Sequence, residues 1–111
     1  MQNPHYFKIA ENFSKTPGPR YIKEGVFSAE LLLKDGFRKL YFDALDKGYK
    51  ITVDLDDTAG YATSFLEGTF GELARESDPE KVLNHFIFIS HKRPWYIDEI
   101  KEYINDVKKN K

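Results

Sequence analysis

The chain has 111 residues, the common size of one domain, and leaves no room for two separate cores. Its 17 basic and 18 acidic residues leave a formal net charge of −1, which supplies no field for steering onto nucleic acid or an anionic membrane. It contains no cysteine, so disulfides, thiolate zinc sites and cysteine nucleophiles are excluded, while 41% hydrophobic and 15% aromatic residues suffice to fill one core.

In chain order, the start Met1-Gln-Asn-Pro-His-Tyr6 has no basic region followed by an apolar one, so it does not read as a secretory signal. His5 to Phe13 carries Tyr6, Phe7, Ile9 and Phe13 between polar residues and reads as a first strand. Ser14 to Arg20 is a turn, because proline sets φ and glycine supplies the positive one. Tyr21 to Val26 is expected to return as a second strand, pairing with the first as a hairpin.

Ser28 reads as an N-cap, and Leu33, Phe37, Leu40, Tyr41 and Leu45 follow at the spacing of a helix that packs on a sheet. Gly36 weakens that helix by roughly 1 kcal/mol relative to alanine without ending it, and Gly48 is the stop. Tyr49 to Leu55 alternates as a strand, followed by a loop, Asp56 to Ala62, and a helix from Ser64 to Glu76. Asp78-Pro79-Glu80 is a cap with proline at the first helical position. Phe86 to Ile89 is apolar on both faces, as a central, covered strand would be. It is also the longest apolar run, far too short for a membrane span, so the expected location is the cytoplasm. His91 to Pro94 is a loop, and Trp95 to Lys108 a last helix with Tyr96, Ile100, Tyr103, Ile104 and Val107 on its inner side. Trp95 reads as its core anchor, the alternative being partial exposure at a partner surface. Residues 105–111 read as a frayed, basic end. The order β-β-α-β-α-β-α predicts a single α/β domain over residues 1–111, with one mixed sheet.

Two motifs bear on function. Asp54-x-Asp56-x-Thr58 directly follows an apolar strand and resembles the first motif of haloacid dehalogenase-like phosphatases. The resemblance implies Asp54 as nucleophile, Asp56 as acid/base, both on Mg²⁺, with Ser90 matching the second motif. The later acidic residues Asp98, Glu99, Glu102 and Asp106 lie on one surface helix and cannot complete a magnesium shell. The plainer reading of Asp56, Asp57 and Thr58 is as turn formers at a strand end.

The second motif runs from Gly60-Tyr-Ala-Thr-Ser-Phe to Phe70-Gly-Glu-Leu73, with Ser64-x-x-Glu67 at capping-box spacing. Together with Gly18-Pro19-Arg20, Ser28-Ala29-Glu30 and Val53-Asp-Leu-Asp56, it resembles the STAS-like family of the DUF4325 type. That family is related to sulfate-transporter and anti-sigma-factor-antagonist domains. The resemblance spans Gly18 to Leu73, about half the chain, and implies a non-enzymatic regulatory or protein-interaction module with a STAS-like fold. In the antagonists a serine at the start of the helix after the third strand is phosphorylated by a partner kinase, and Ser64, with Thr63 beside it, holds that position. The aspartate that the antagonists carry two residues earlier is Ala62 here, and the following glycine is Phe65. Ser64 reads equally well as a plain N-cap.

The partner implied is a cytoplasmic kinase or ATPase-type protein. The expected contact residues are Asp57, Thr58, Gly60, Tyr61, Ala62 and Glu67, with Arg20, Lys92 and Arg93. If the strands at Ile51 and Phe86 are parallel neighbours, His91-Lys92-Arg93 forms a basic lip beside the Ser64 helix start. Arg20 faces that lip or pairs with a nearby acid. His5, His85 and His91 are scattered rather than spaced as metal ligands, and no Walker, Gly-x-Gly-x-x-Gly or Gly-x-Ser-x-Gly motif is present. No cofactor, metal, nucleic acid or membrane is expected, and no sequence signal specifies an oligomeric state.

Overall fold

Alternation of buried and half-buried residues along Ile51-Thr52-Val53 belongs to a strand with one face on a core. In the computed structural model, which describes residues 5–109, this strand is β2 (Ile51–Asp54). It lies between β1 (Tyr6–Lys8) and β3 (Phe86–Ile89), and all three strands run parallel. Tyr6 stands opposite Thr52 and Lys8 opposite Asp54, while Ile51 stands opposite Phe86 and Asp54 opposite Ile89.

The sheet is therefore parallel, not mixed. The expected hairpin is absent, because Tyr21 to Val26 lies inside a loop that backbone hydrogen bonds between its flanking residues close. The Gly18 amide donates to the Phe27 carbonyl at 2.9 Å, the Ala29 amide to Pro19, and the Glu30 amide to Arg20. Within the loop, Ile22–Glu24 makes one 3₁₀ turn, and the Ile22 amide donates to the Glu30 carboxylate at 2.9 Å. The first strand is also shorter than expected. At Ile9, fully buried, the chain turns into α1 (Ile9–Asn12), and the Asn12 carboxamide accepts the Lys8 amide at 2.9 Å.

Ser28 caps α2 (Ala29–Leu32), its hydroxyl accepting the Leu31 amide at 3.0 Å. The chain then passes through a π-type turn, Leu33–Phe37, into α3 (Arg38–Lys47). Gly36 has φ of 136° there, so the helical path breaks at this residue instead of running through it. Gly48 ends α3 in the left-handed conformation, as expected. After β2 come α4 (Thr63–Leu66), a second π-type turn, Glu67–Gly71, and α5 (Glu72–Glu76). Asp78 caps α6 (Pro79–His85), with its carboxylate accepting the Glu80 amide at 2.8 Å. After β3, α7 (Trp95–Lys109) packs on the Glu67–Gly71 turn and on α6.

Because the strands follow in the order β1-β2-β3, crossovers of one hand place both connections on the same face. Phe7, Val53, Phe86 and Phe88 point into that face. Phe37 packs on Phe7 at 5.0 Å and stacks on Phe86 at 5.7 Å, and Phe70 meets Phe88 edge-on at 5.2 Å. Tyr6, Lys8, Thr52, Asp54, Ile87 and Ile89 alternate onto the opposite face, where Tyr6 is 38% and Ile87 47% exposed. β3 is thus an edge strand with one open face, not the central covered strand its apolar run suggested.

Trp95 is a second correction of this kind. It is exposed, and the core contacts of α7 come from Ile100, Ile104 and Val107 one to three turns further on. The expected frayed end is helical as far as Lys109. Residues 110 and 111 lie outside the described residues, as do residues 1–4 of the segment read as lacking a secretory signal.

Candidate functional site

The carboxyl ends of the three strands bring together Lys8, the loop after β2 and the loop after β3, the usual place for function in an open parallel sheet. Asp54 ends β2 and is buried. One of its carboxylate oxygens accepts the Tyr6 hydroxyl at 2.6 Å, and the other accepts the Asp56 amide at 2.9 Å, closing an Asx turn. Hydrogen bonding to Asp54, reinforced by burial, raises the Tyr6 hydroxyl above the usual tyrosine range.

Asp56 reaches across to the neighbouring loop. Its Oδ2 accepts the His91 amide at 3.1 Å and His91 Nδ1 at 3.0 Å, while Oδ1 accepts the Lys92 amide at 3.2 Å. Burial pushes this carboxyl up, but the Lys92 and His91 donors outweigh it and hold it below the usual range. Asp57 follows in the left-handed region at φ 71°, which aspartate tolerates better than most residues. Its carboxylate bridges Lys8, at 2.6 Å, and Lys92. Hydrogen bonds from Lys8 and then Lys92 hold its carboxyl at about 2.

A cleft of about 350 Å³ opens between Asp57 and Thr58 on one side and Ser90, Lys92 and Arg93 on the other. The Ser90 hydroxyl donates to the Arg93 carbonyl at 2.6 Å. Arg93 Nη1 donates to the Ala59 carbonyl at 3.2 Å. Gly60 is favoured here by its φ of 136°, and a Cβ would stand 3.2 Å from the tip of the Arg93 side chain, which would have to shift slightly.

The parallel pairing of β2 and β3 thus brings Asp57, Thr58 and Gly60 beside Lys92 and Arg93, as the lip required. It does not bring all the expected residues there. Arg20 Nη1 instead donates to Glu67 Oε1 at 2.6 Å, within a second cluster where Arg75 also holds Glu67, at 2.7 Å, and Glu72. Burial pushes the Glu67 carboxyl up, and its two arginines more than offset this, leaving it lowered. Tyr61 is buried, its hydroxyl donating to the Leu55 carbonyl at 2.8 Å and its phenol pushed up by burial. Its side chain belongs to the core.

Ser64 is not the cap of its helix. Ala62 occupies that position, Thr63 is the first helical residue, and Glu67 binds arginines, so no capping box forms. Thr63 is exposed and Ser64 half-buried. Among the described residues, no hydrogen bond or ion pair joins either hydroxyl to Lys92 or Arg93. Nor does any group of three or more His, Asp or Glu residues stand where it could hold a metal.

Lys8 and Tyr6 were not among the residues singled out from the sequence. Reading β1 as a parallel neighbour of β2 would have placed both against Asp54 and Asp57, but the hairpin expectation pointed elsewhere.

A family model for the STAS-like domain of unknown function (DUF4325) matches residues 36–94. The chain belongs to this family. The match runs from the break at Gly36 to the end of the Arg93 loop, so it takes in β2, β3 and every contact of the two strand-end loops with each other. Tyr6, Lys8 and Arg20 lie outside it. No curated protein matches this STAS-like domain, and no solved structure does. Among the described residues, no helix is long and apolar enough to cross a membrane.

Proposed function

We propose that this STAS-like domain is a non-enzymatic regulatory or protein-interaction module. It binds a cytoplasmic kinase or ATPase-type partner through the Asp57–Thr63 loop, the helix start at Thr63-Ser64 and the lip of Lys92 and Arg93. One observation carries the reading: Asp54 is engaged by Tyr6 and its own turn, Asp56 and Asp57 tie that loop to the loop after β3 and to Lys8, and the same loop presents Ala59, Ala62 and Thr63 to solvent. Carboxylates tied in this way act as a scaffold, and a rigid exposed loop is a surface that a partner can read without an ordering cost.

The regulated hydroxyl is Ser64 or its more accessible neighbour Thr63. A phosphate on either adds nearly two negative charges to the presented edge and changes its fit to a partner. Partner capture by native protein, Ser64→Asp and Thr63→Asp, read by quantitative pull-down with a kinase or ATPase-type candidate, tests the switch. Loss of binding in an aspartate variant with unchanged circular dichroism supports it. Full binding by Ser64→Asp, Ser64→Ala and Thr63→Asp alike would refute it. Hydrolysis of an aryl phosphate with Mg²⁺ tests the non-enzymatic part. Turnover that Asp54→Asn abolishes would replace the reading with a phosphatase using Asp54 and Asp56.

A further inference from the structure

The two edges of the sheet differ. On β1, the outward amide of Lys8 is taken by the Asn12 carboxamide, and α1 follows at once, so this edge is capped at its carboxyl end and bears a charge. On β3, the Leu55 amide donates to the Ile89 carbonyl at 2.8 Å, which assigns the peptide groups of Ile87 and Ile89 to β2. Those of Phe86 and Phe88 therefore face outward, and among the described residues they meet no hydrogen-bond partner. Phe86–Ile89 carries no charge, proline or bulge, the usual devices that blunt an edge. Ile87, 47% exposed, stands on the open sheet face beside this edge.

We infer that the β3 edge pairs with a second copy of this chain, antiparallel about a two-fold axis at Phe88. In that register the two Phe88 residues exchange both backbone hydrogen bonds, and Phe86 exchanges bonds with Ser90 of the second copy. Ile87 then lies directly opposite Ile89 of the second copy as a close non-hydrogen-bonded pair, so four isoleucines form one apolar stripe on the open face. No charge is buried, and the two three-stranded sheets become one of six strands. A four-residue edge covers far less than the ~800 Å² per partner of a standard interface, so the dimer is weak and depends on concentration. This surface is separate from the strand-end loops and does not depend on their proposed role.

Sedimentation velocity over low to high micromolar protein reads the association. Wild-type chain shifts from monomer to dimer, and Ile87→Lys, whose side chain is on the open face, raises the dissociation constant by about tenfold or more with unchanged circular dichroism. The register has its own readout, because the chain has no cysteine. An equimolar mixture of Ile87→Cys and Ile89→Cys chains forms a disulfide-linked heterodimer on mild oxidation, and either chain alone links far less. Wild-type protein that stays monomeric at every concentration would overturn the inference, as would cross-linking that is the same in separate and mixed samples.

Discussion

Asp56, in the loop after β2, accepts the main-chain amide of His91, in the loop after β3, at 3.1 Å. With the Lys92 amide on its other oxygen, one carboxylate ties together two segments separated by about thirty-five residues. The Asp57–Lys92 ion pair and the Arg93–Ala59 hydrogen bond join the same two loops, so the strand-end surface is held at several points.

Asp56→Ala removes an acceptor of charge-assisted hydrogen bonds and leaves two backbone amides without it. Bonds of this kind contribute ~1.5–3 kcal/mol, and that loss is expected as a lower urea midpoint with an unchanged slope. Amide exchange at His91 and Lys92 should accelerate more than exchange in β2.

The acid limb of the stability curve should carry the signature of Asp57. Its carboxyl is depressed to about 2, so its contribution is fully present above the ordinary aspartate value of ~3.9 and is lost as pH falls through that window. Asp56, also lowered, acts in the same direction. Asp57→Asn is expected to flatten this limb in a urea series between pH 5 and about 2, with a modest effect because Asp57 and Lys92 are solvent-exposed.

Gly18→Ala tests the loop that replaced the expected hairpin. A Cβ at this position would stand 2.4 Å from the Val26 carbonyl oxygen, a backbone atom with little freedom to move. Overpacking of this kind costs ~1–3 kcal/mol, and a fall in thermal midpoint checks it.

Two aromatic truncations should differ sharply. Phe70→Ala removes a fully buried ring that contacts Phe37, Phe86 and Phe88, for an expected loss of ~3–5 kcal/mol. Trp95→Ala removes a ring that is 53% exposed and should alter stability by less than ~1 kcal/mol. Comparable losses in urea denaturation would contradict the exposed placement of Trp95.

Features that depend on neighbours along the chain were legible in the residues themselves. Ser28, Gly48 and Asp78-Pro79 mark their helix ends because capping groups lie within three or four residues of what they cap. The strand at Ile51 and the inner row of α7 follow from periodicity, which burial enforces directly. Ser64 shows the limit of local pattern, since its spacing to Glu67 suits a capping box until two arginines, from Arg20 and Arg75, compete for that carboxylate.

By itself, then, the sequence determined the α/β class, the family, the principal helix ends and the segment that carries the strand-end loop. Each rests on interactions of short reach or on the burial of a single face. Only the tertiary structure decided that the sheet is parallel, that β3 is an edge, and that Lys8 and Lys92 share Asp57. Those depend on which distant segments meet. An alternating strand such as Tyr6–Lys8 satisfies its hydrogen bonds equally well with either direction of partner, so its direction is set by the loop that follows and by the ring packing around Phe37.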